Sequence, residues 1–244
     1  MWRVLLLCCL SFQSIAASRI QFATEASYPP FEYLDDAGQF AGLDIDLANA
    51  LCRHLKAECV FHNKAFDSLI PALQFRNYDA VIAALNATEA RSALVAFTDI
   101  YYDSSAVFVA KKGVYSGKVN VKNQAVGVQN GSQQQRYLIE EKEMQGALTV
   151  PYASYAKAFT DLKAGDIDAV LVDFAVAEAW LLLPENNKFE MVGEKITDVD
   201  FFGLGYAIAV NKSNKRLLRD LNNALKQIKA SGEYKRIIMK YFHQ

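Results

Sequence analysis

The 244-residue chain sets 26 Lys and Arg against 27 Asp and Glu, for a formal net charge of −1, and 52% of its residues are hydrophobic. That balance excludes a polybasic nucleic-acid binder, and no basic run or aromatic-basic stripe is present to track a phosphate backbone. The apolar fraction is ample for a core, and the length fits one large or two small domains at roughly 100 to 200 residues each.

Arg3 stands ahead of an apolar run, Val4 to Leu10, followed by Ser11 to Ser14 and the small-residue stretch Ile15-Ala16-Ala17. This is the plan of a secretory signal peptide over residues 1–17, cleaved after Ala16 or Ala17. The run falls well short of the roughly 20 residues that cross a bilayer, and large leucines ahead of Cys8 and Cys9 argue against a lipid anchor there. No later stretch resembles a membrane span, so the mature protein is expected to be soluble. Without the signal segment two cysteines remain, Cys52 and Cys59. In an oxidising compartment such a pair usually forms a disulfide, here a staple between a helix end and the next strand. The competing metal site would need further ligands, for which only His54 and His62 are close in sequence, whereas closed zinc sites take four.

The mature chain opens on an alternating strand, Arg19 to Thr24, and breaks at Ser27-Tyr28-Pro29-Pro30-Phe31, which continues neither regular structure. After a turn around Asp35 to Gly38, Leu43, Leu47, Leu51 and Leu55 recur at helical spacing, so the opening reads strand, exposed loop, turn, helix. Val60 and Phe61 restart a strand. Phe66 to Leu73 reads as a helix capped by Asp67, with Pro71 near its first turn, and leads to the almost wholly apolar strand Asp79 to Ala84. The arrangement returns: Ala158 to Leu162 passes through Ala164-Gly165 into Asp168 to Asp173, and Leu73 to Asp79 and Leu162 to Asp168 are equally spaced. Two copies of helix, turn and Asp-Ala-Val strand argue for two similar α/β lobes. The candidate connectors are Tyr101 to Val109 and Val199 to Val210. If both cross, lobe 1 comprises 18–105 plus 203–244, and lobe 2 comprises 106–202. Leu217, Leu218, Leu221, Leu225 and Ile228 give the tail an apolar helix face that needs a surface to cover. Ser231-Gly232 breaks that helix before a last helical piece, Tyr234 to Phe242.

In open α/β sheets ligands gather outside the carboxyl ends of the strands. Those ends fall at Thr24 to Phe31, Ala83 to Arg91, Gln129 to Gln134 and Asp173 to Ala175. Thr88 is placed to cap a helix carrying Arg91, so backbone N–H groups and a guanidinium can converge on a carboxylate. The alternative is a surface arginine paired with Glu89 or Asp99. Asn130-Gly131-Ser132-Gln133 opens a second helix after a strand but lacks the glycines and lysine of a nucleotide loop. Asp173 can accept from an ammonium group, or can merely cap the helix that follows it. Tyr28, Phe31 and Phe66 lie near strand ends, where aromatics sandwich an apolar stem, though core packing is the plainer role for Phe31. His54, His62 and His243 lie off these loops, and neither a Gly-x-Ser-x-Gly elbow nor a zinc motif occurs. Chemistry by carboxylates alone stays open on these grounds.

Five stretches carry a resemblance: Thr24-Glu25-Ala26-Ser27-Tyr28-Pro29-Pro30-Phe31-Glu32, Gly42-Leu43-Asp44-Ile45-Asp46-Leu47, Phe66-Asp67-Ser68-Leu69-Ile70-Pro71, Thr88-Glu89-Ala90-Arg91 and Val126-Gly127-Val128-Gln129-Asn130-Gly131-Ser132. With the closing helix Tyr234 to Phe242, they make the chain from about Ile20 onward similar to the periplasmic amino-acid-binding proteins that feed ABC importers, especially the arginine and lysine/arginine/ornithine/histidine receptors. The resemblance implies an α/β, two-lobed type II periplasmic-binding-protein fold. Each lobe is then a mixed sheet flanked by helices, and two hinge strands let the lobes close on one ligand. It implies a monomer without cofactor that binds L-arginine or a related cationic amino acid, such as lysine or ornithine, and hands it to a membrane permease. By the same resemblance Arg91 holds the α-carboxylate, helped by N–H groups of Ser132 or Gln133. Asp173 holds the α-ammonium, and Tyr28 and Phe66 sandwich the side chain. Glu25 meets the distal cation with Asp44 behind it, and Cys52 and Cys59 fall where the basic-amino-acid receptors carry a disulfide. Two departures bear on the ligand. Ala83, Ala84 and Asn86 stand where several relatives carry serines, leaving Asn86 to contact either end of the ligand, and Gln133 replaces a frequent threonine. A periplasmic prephenate or arogenate dehydratase on the same scaffold is the rival expectation; the site as read lacks the extra basic residue that a second carboxylate would demand.

Overall fold

The computed structural model describes residues 18–115, 120–142 and 145–242. The expected signal segment and His243 lie outside the described residues. The first sheet begins with β1 (Ser18–Thr24), buried from Phe22 onward. The next segment departs from the expected exposed loop. It forms a small antiparallel sheet of β2 (Ser27–Tyr28), β3 (Glu32–Leu34) and β4 (Phe40–Ala41), with Tyr28, Phe31 and Glu32 buried. The cause lies in α1 (Leu43–His54), whose first N–H groups bond back to this segment, Leu43 to Pro30 O at 2.9 Å and Asp44 to Phe31 O at 2.8 Å. Gly42 makes that approach possible. Its φ is 118°, and a Cβ there would stand 2.2 Å from Phe31 O.

α1 buries Leu43, Leu47 and Leu51, and carries Asp44 and Asp46 in its first turn and Arg53 and His54 in its last, which matches the helix dipole at both ends. Cys52 at its end is bonded to Cys59 in β5 (Ala57–Asn63), with the Cα atoms 5.9 Å apart. The pair is thereby a disulfide, and among the described residues no group of His, Cys, Asp and Glu is placed to hold a metal. A single 3₁₀ turn over Phe66–Ser68 precedes α2 (Leu69–Gln74), in whose first turn Pro71 sits without cost. Asp67 does not cap this helix as expected. It lies inside the 3₁₀ turn, and its Oδ2 accepts from Asn130 Nδ2 at 2.7 Å.

β6 (Ala80–Val81), α3 (Glu89–Ser92) and β7 (Ala96–Phe97) follow, and the chain leaves the first sheet for β8 (Ala106–Lys111). The second sheet continues with β9 (Ala125–Gln129), α4 (Gln133–Tyr137) with a π turn over 138–142, β10 (Leu148–Tyr152), α5 (Tyr155–Ala164), β11 (Ala169–Asp173), α6 (Phe174–Leu181) and β12 (Phe189–Ile196). The return connector starts with a short helix, α7 (Val199–Phe202), capped by Asp198. It then runs antiparallel to the outgoing one, with Tyr101 N bonded to Tyr206 O at 2.9 Å and Tyr206 N to Tyr102 O at 2.8 Å. Gly203 and Gly205 allow this packing, since a Cβ at either would lie 2.4 Å from a carbonyl oxygen, of Ala87 and Tyr102 respectively. β13 (Ala209–Val210), α8 (Lys215–Ala230) and α9 (Glu233–Tyr241) complete the chain. α8 buries Leu221, Ala224, Leu225 and Ile228, and α8 and α9 both pack on α1.

The two mixed sheets run β5-β1-β6-β13-β7 and β10-β9-β11-β8-β12. In each, four strands run in one direction and the strand that enters from a crossing, β13 in the first sheet and β8 in the second, lies antiparallel between its two neighbours. This is the two-lobed α/β architecture expected. One apolar cluster passes from Phe22 and Leu47 through Tyr28, Tyr101 and Tyr206 to Val109 and Val172, so the lobes meet in a closed arrangement. No helix among the described residues is long and apolar enough to cross a membrane.

Candidate functional site

The carboxyl ends of β1, β6, β9 and β11 converge between the lobes and bring the expected site residues together. Glu25, Tyr28, Asn86, Arg91, Ser132, Gln133 and Asp173 are each less than a tenth exposed, and Phe66 is half-buried.

Arg91 is not a surface arginine. It is 6% exposed and pairs with neither Glu89 nor Asp99. Thr88 caps α3 by accepting from Arg91 N at 3.3 Å, which fixes the backbone that carries the guanidinium. Nη1 then donates to Asn86 O in its own lobe and Nη2 to Gly131 O in the other, both at 3.1 Å. The guanidinium carbon lies 5.5 Å from the centre of the Phe66 ring. With the Gln133 amide nitrogen turned to Phe201 O at 2.9 Å, its oxygen accepts from Arg91 Nε at 3.3 Å. Burial pulls the guanidinium down to about 10, against the opposing pull of Asp173, and it stays cationic at neutral pH.

Asp173 ends β11 and occupies the cap position of α6, yet its side chain makes no capping bond. It turns across the interface, where the Tyr28 hydroxyl donates to Oδ2, and Oδ1 makes no hydrogen bond among the described residues. Burial pushes this carboxyl up to about 6; the hydroxyls of Tyr28 and Tyr206, the Gln134 amide and Arg91 hold it down only in part. Glu25 is in the same position. It is 7% exposed, its Oε1 accepts from Ser27 Oγ, and burial raises its pKa. Neither acid forms a salt bridge among the described residues, and both would be relieved by a cation.

The remaining residues divide. Ser132 caps α4, its hydroxyl accepting from Gln135 N at 3.1 Å and donating to Gln129 O at 2.7 Å. Its side chain is therefore spent, and what α4 presents is first-turn N–H groups. Asn86 turns its amide to the connectors, donating to Ser104 Oγ at 2.6 Å and Phe202 O at 2.9 Å, while its backbone carbonyl serves Arg91. Phe66 lies against Arg91, and Tyr28 lies against Tyr155 with ring centres 5.3 Å apart.

Sequence reasoning missed Tyr155, Tyr206, Gln134 and Glu32. Tyr155 follows Ser154, which caps α5 just beyond β10, so the strand-end rule applied to this strand would have found it. Tyr206 is marked by its glycine-rich connector. Gln134 lies in the first turn of α4. Glu32 carried no signal beyond its place in a resembling stretch.

The profile of the bacterial extracellular solute-binding proteins, family 3, matches residues 20–244. The chain is 46% identical over 239 residues to ABC transporter arginine-binding protein 1 of Escherichia coli (strain K12), covering 98% of this chain and 97% of that protein. It is 41% identical over 217 residues to the arginine-binding periplasmic protein of Mannheimia haemolytica, covering 89% and 88%. Its fold superposes with a TM-score of 0.87 on a Salmonella typhimurium periplasmic binding protein described for high arginine specificity, at 41% identity and covering 93% of this chain and 100% of that one. Strand-end chemistry, two-lobed topology and these likenesses agree: the chain belongs to the bacterial extracellular solute-binding proteins, family 3.

Proposed function

We propose that the protein captures L-arginine in the periplasm and delivers it to the membrane permease of an ABC importer, without altering it. The observation that carries this is a charge inventory. The interlobe site holds one buried guanidinium, Arg91, and two buried acids lacking a basic partner, Glu25 and Asp173. Arginine brings the complement, one carboxylate and two cationic groups. In this reading the α-carboxylate takes Arg91 with N–H groups of Ser132 or Gln133, the α-ammonium takes Asp173, and the side chain passes Tyr28 and Phe66 to Glu25. Lysine and ornithine share that charge pattern. Asn86 is assigned to the connectors more than to the ligand, since its amide is bonded to them. The relatives named for arginine, and for ABC transport, support the ligand and the destination. We further propose export through a signal peptide spanning 1–17, action as a monomer, and lobe boundaries of 18–105 plus 203–244 and 106–202.

Glu25→Gln tests the ligand's orientation. Loss of a charged acceptor costs about 1.5–3 kcal/mol, so arginine should weaken roughly 10- to 150-fold. Neutral glutamine should change by less than about threefold, having no distal cation. Equal losses for both ligands would refute the role of Glu25.

A further inference from the structure

Behind the site, in the first lobe, two carboxyl groups are buried side by side. Glu32 is 1% exposed and Asp44 0%, and Glu32 Oε2 and Asp44 Oδ1 find no donor on any other described group. The two residues are held together at the backbone, where Asp44 N bonds to Phe31 O at 2.8 Å, and the charge of Asp44 raises the cost of charging Glu32. Two ionised carboxylates are acceptors only, so a single proton on one of them, donated to the other, is what satisfies both orphaned oxygens. The surroundings say which. Asp44 sits at the second position of the twelve-residue α1, where the helix dipole favours an anion. Its Oδ2 already accepts from Ala84 N at 2.7 Å and from the Tyr101 hydroxyl at 2.9 Å. Glu32 is pressed the other way, by burial first and then by the charges of Asp44, Glu25 and Asp173, all acidic; the hydroxyls of Tyr101 and Tyr206 complete its surroundings.

We propose that Glu32 is a protonated positioning residue, whose carboxylic O–H holds the Asp44 carboxylate on the binding loop and on the hinge at once. Both of the groups that Asp44 grips matter to the site. Ala84 opens the strand-end loop in a left-handed conformation, φ 42°, that an alanine adopts only when held, and two residues later the Asn86 carbonyl orients Arg91. Tyr101 belongs to the outgoing connector and is bonded to the returning one at Tyr206. Glu32 touches no ligand group in this account; it acts through Asp44.

The test has a spectroscopic arm that needs no ligand, and a binding arm that rests on the proposed arginine function. Carbon-13 carboxyl NMR of glutamate-labelled protein at neutral pH should show a protonated glutamate resonance that vanishes in Glu32→Gln. A fully ionised Glu32 would overturn the proposal. Glutamine offers Asp44 a permanent N–H donor in the same place, so Glu32→Gln should bind arginine within about threefold of the native protein, whereas Glu32→Ala should bind at least tenfold more weakly. Equal weakening by Gln and Ala would also overturn it. If the native protein binds no arginine, the functional reading fails and the resonance still decides the protonation of Glu32.

Discussion

Replacing Asp173 with Asn should move stability and binding in opposite directions. At neutral pH the ligand-free protein keeps an ionised carboxylate in a site where its pKa is pushed from 3.8 up to about 6 by burial. At about 1.4 kcal/mol per unit, that charge destabilises the ligand-free fold by about 3 kcal/mol. Asparagine removes the charge and can still accept from the Tyr28 hydroxyl, although the bond to a neutral acceptor is weaker by about 1 kcal/mol. The net gain is about 1–2 kcal/mol, which for a chain of this size raises the melting temperature by roughly 2–8 °C. Binding suffers instead. An α-ammonium enclosed without its anion costs about 3–5 kcal/mol, so the dissociation constant for arginine should rise by roughly two to four orders of magnitude. Scanning calorimetry without ligand and isothermal titration with arginine, on the same preparation, read both effects. A variant that melts several degrees lower, or that binds arginine within about tenfold of the native protein, would refute the assignment of Asp173 as an unpaired acid awaiting a cation.

Two more expectations follow from the same groups. Arginine affinity should fall as pH drops below about 6, by up to about tenfold per unit, because a protonated Asp173 must lose its proton to meet the ammonium; Asp173→Asn should flatten that slope in a titration series. The ligand-free protein shows the reverse trend. Asp173 and Asp44 hold protons in the fold up to about pH 6 but release them near 3.8 when unfolded, so stability contributed by these groups is present below 3.8 and lost as pH rises through 6. Removing the disulfide with Cys52→Ser and Cys59→Ser opens a loop of sequence separation 7 and should cost about 2.5 kcal/mol, lowering the melting temperature by roughly 5–10 °C. Arginine affinity should not change, since the bridge joins the end of α1 to the early part of β5, away from the strand ends. A large loss of affinity would mean that the bridge shapes the site.

The legible parts of this protein are those governed by local periodicity and by strand-end chemistry. Leucines at helical spacing gave α1, the repeated Asp-Ala-Val strands gave the two sheets, and acids or arginines at strand ends, where packing has no use for them, pointed to Arg91 and Asp173. Tertiary contacts hid the rest. The segment after β1 reads as an exposed loop because its prolines exclude regular structure, and it is buried because its carbonyls terminate α1 across Gly42. Asp67 reads as a helix cap but spends its carboxylate on Asn130 in the other lobe. Asn86 looked free for the ligand because its partners, Ser104 and Phe202, lie in connectors distant in sequence. Glu32 was invisible for the same reason. Its importance rests on Asp44 beside it, and nothing in local sequence tells a buried glutamate in a turn-rich segment from a solvated one.

The proposed function has the interlobe site built for a cationic amino acid. Isothermal titration of the mature protein with each common L-amino acid at neutral pH tests it most directly. Arginine should bind most tightly, with lysine and ornithine weaker and neutral or acidic side chains weaker still. Binding of no cationic amino acid, or tighter binding of a neutral one, would contradict the account.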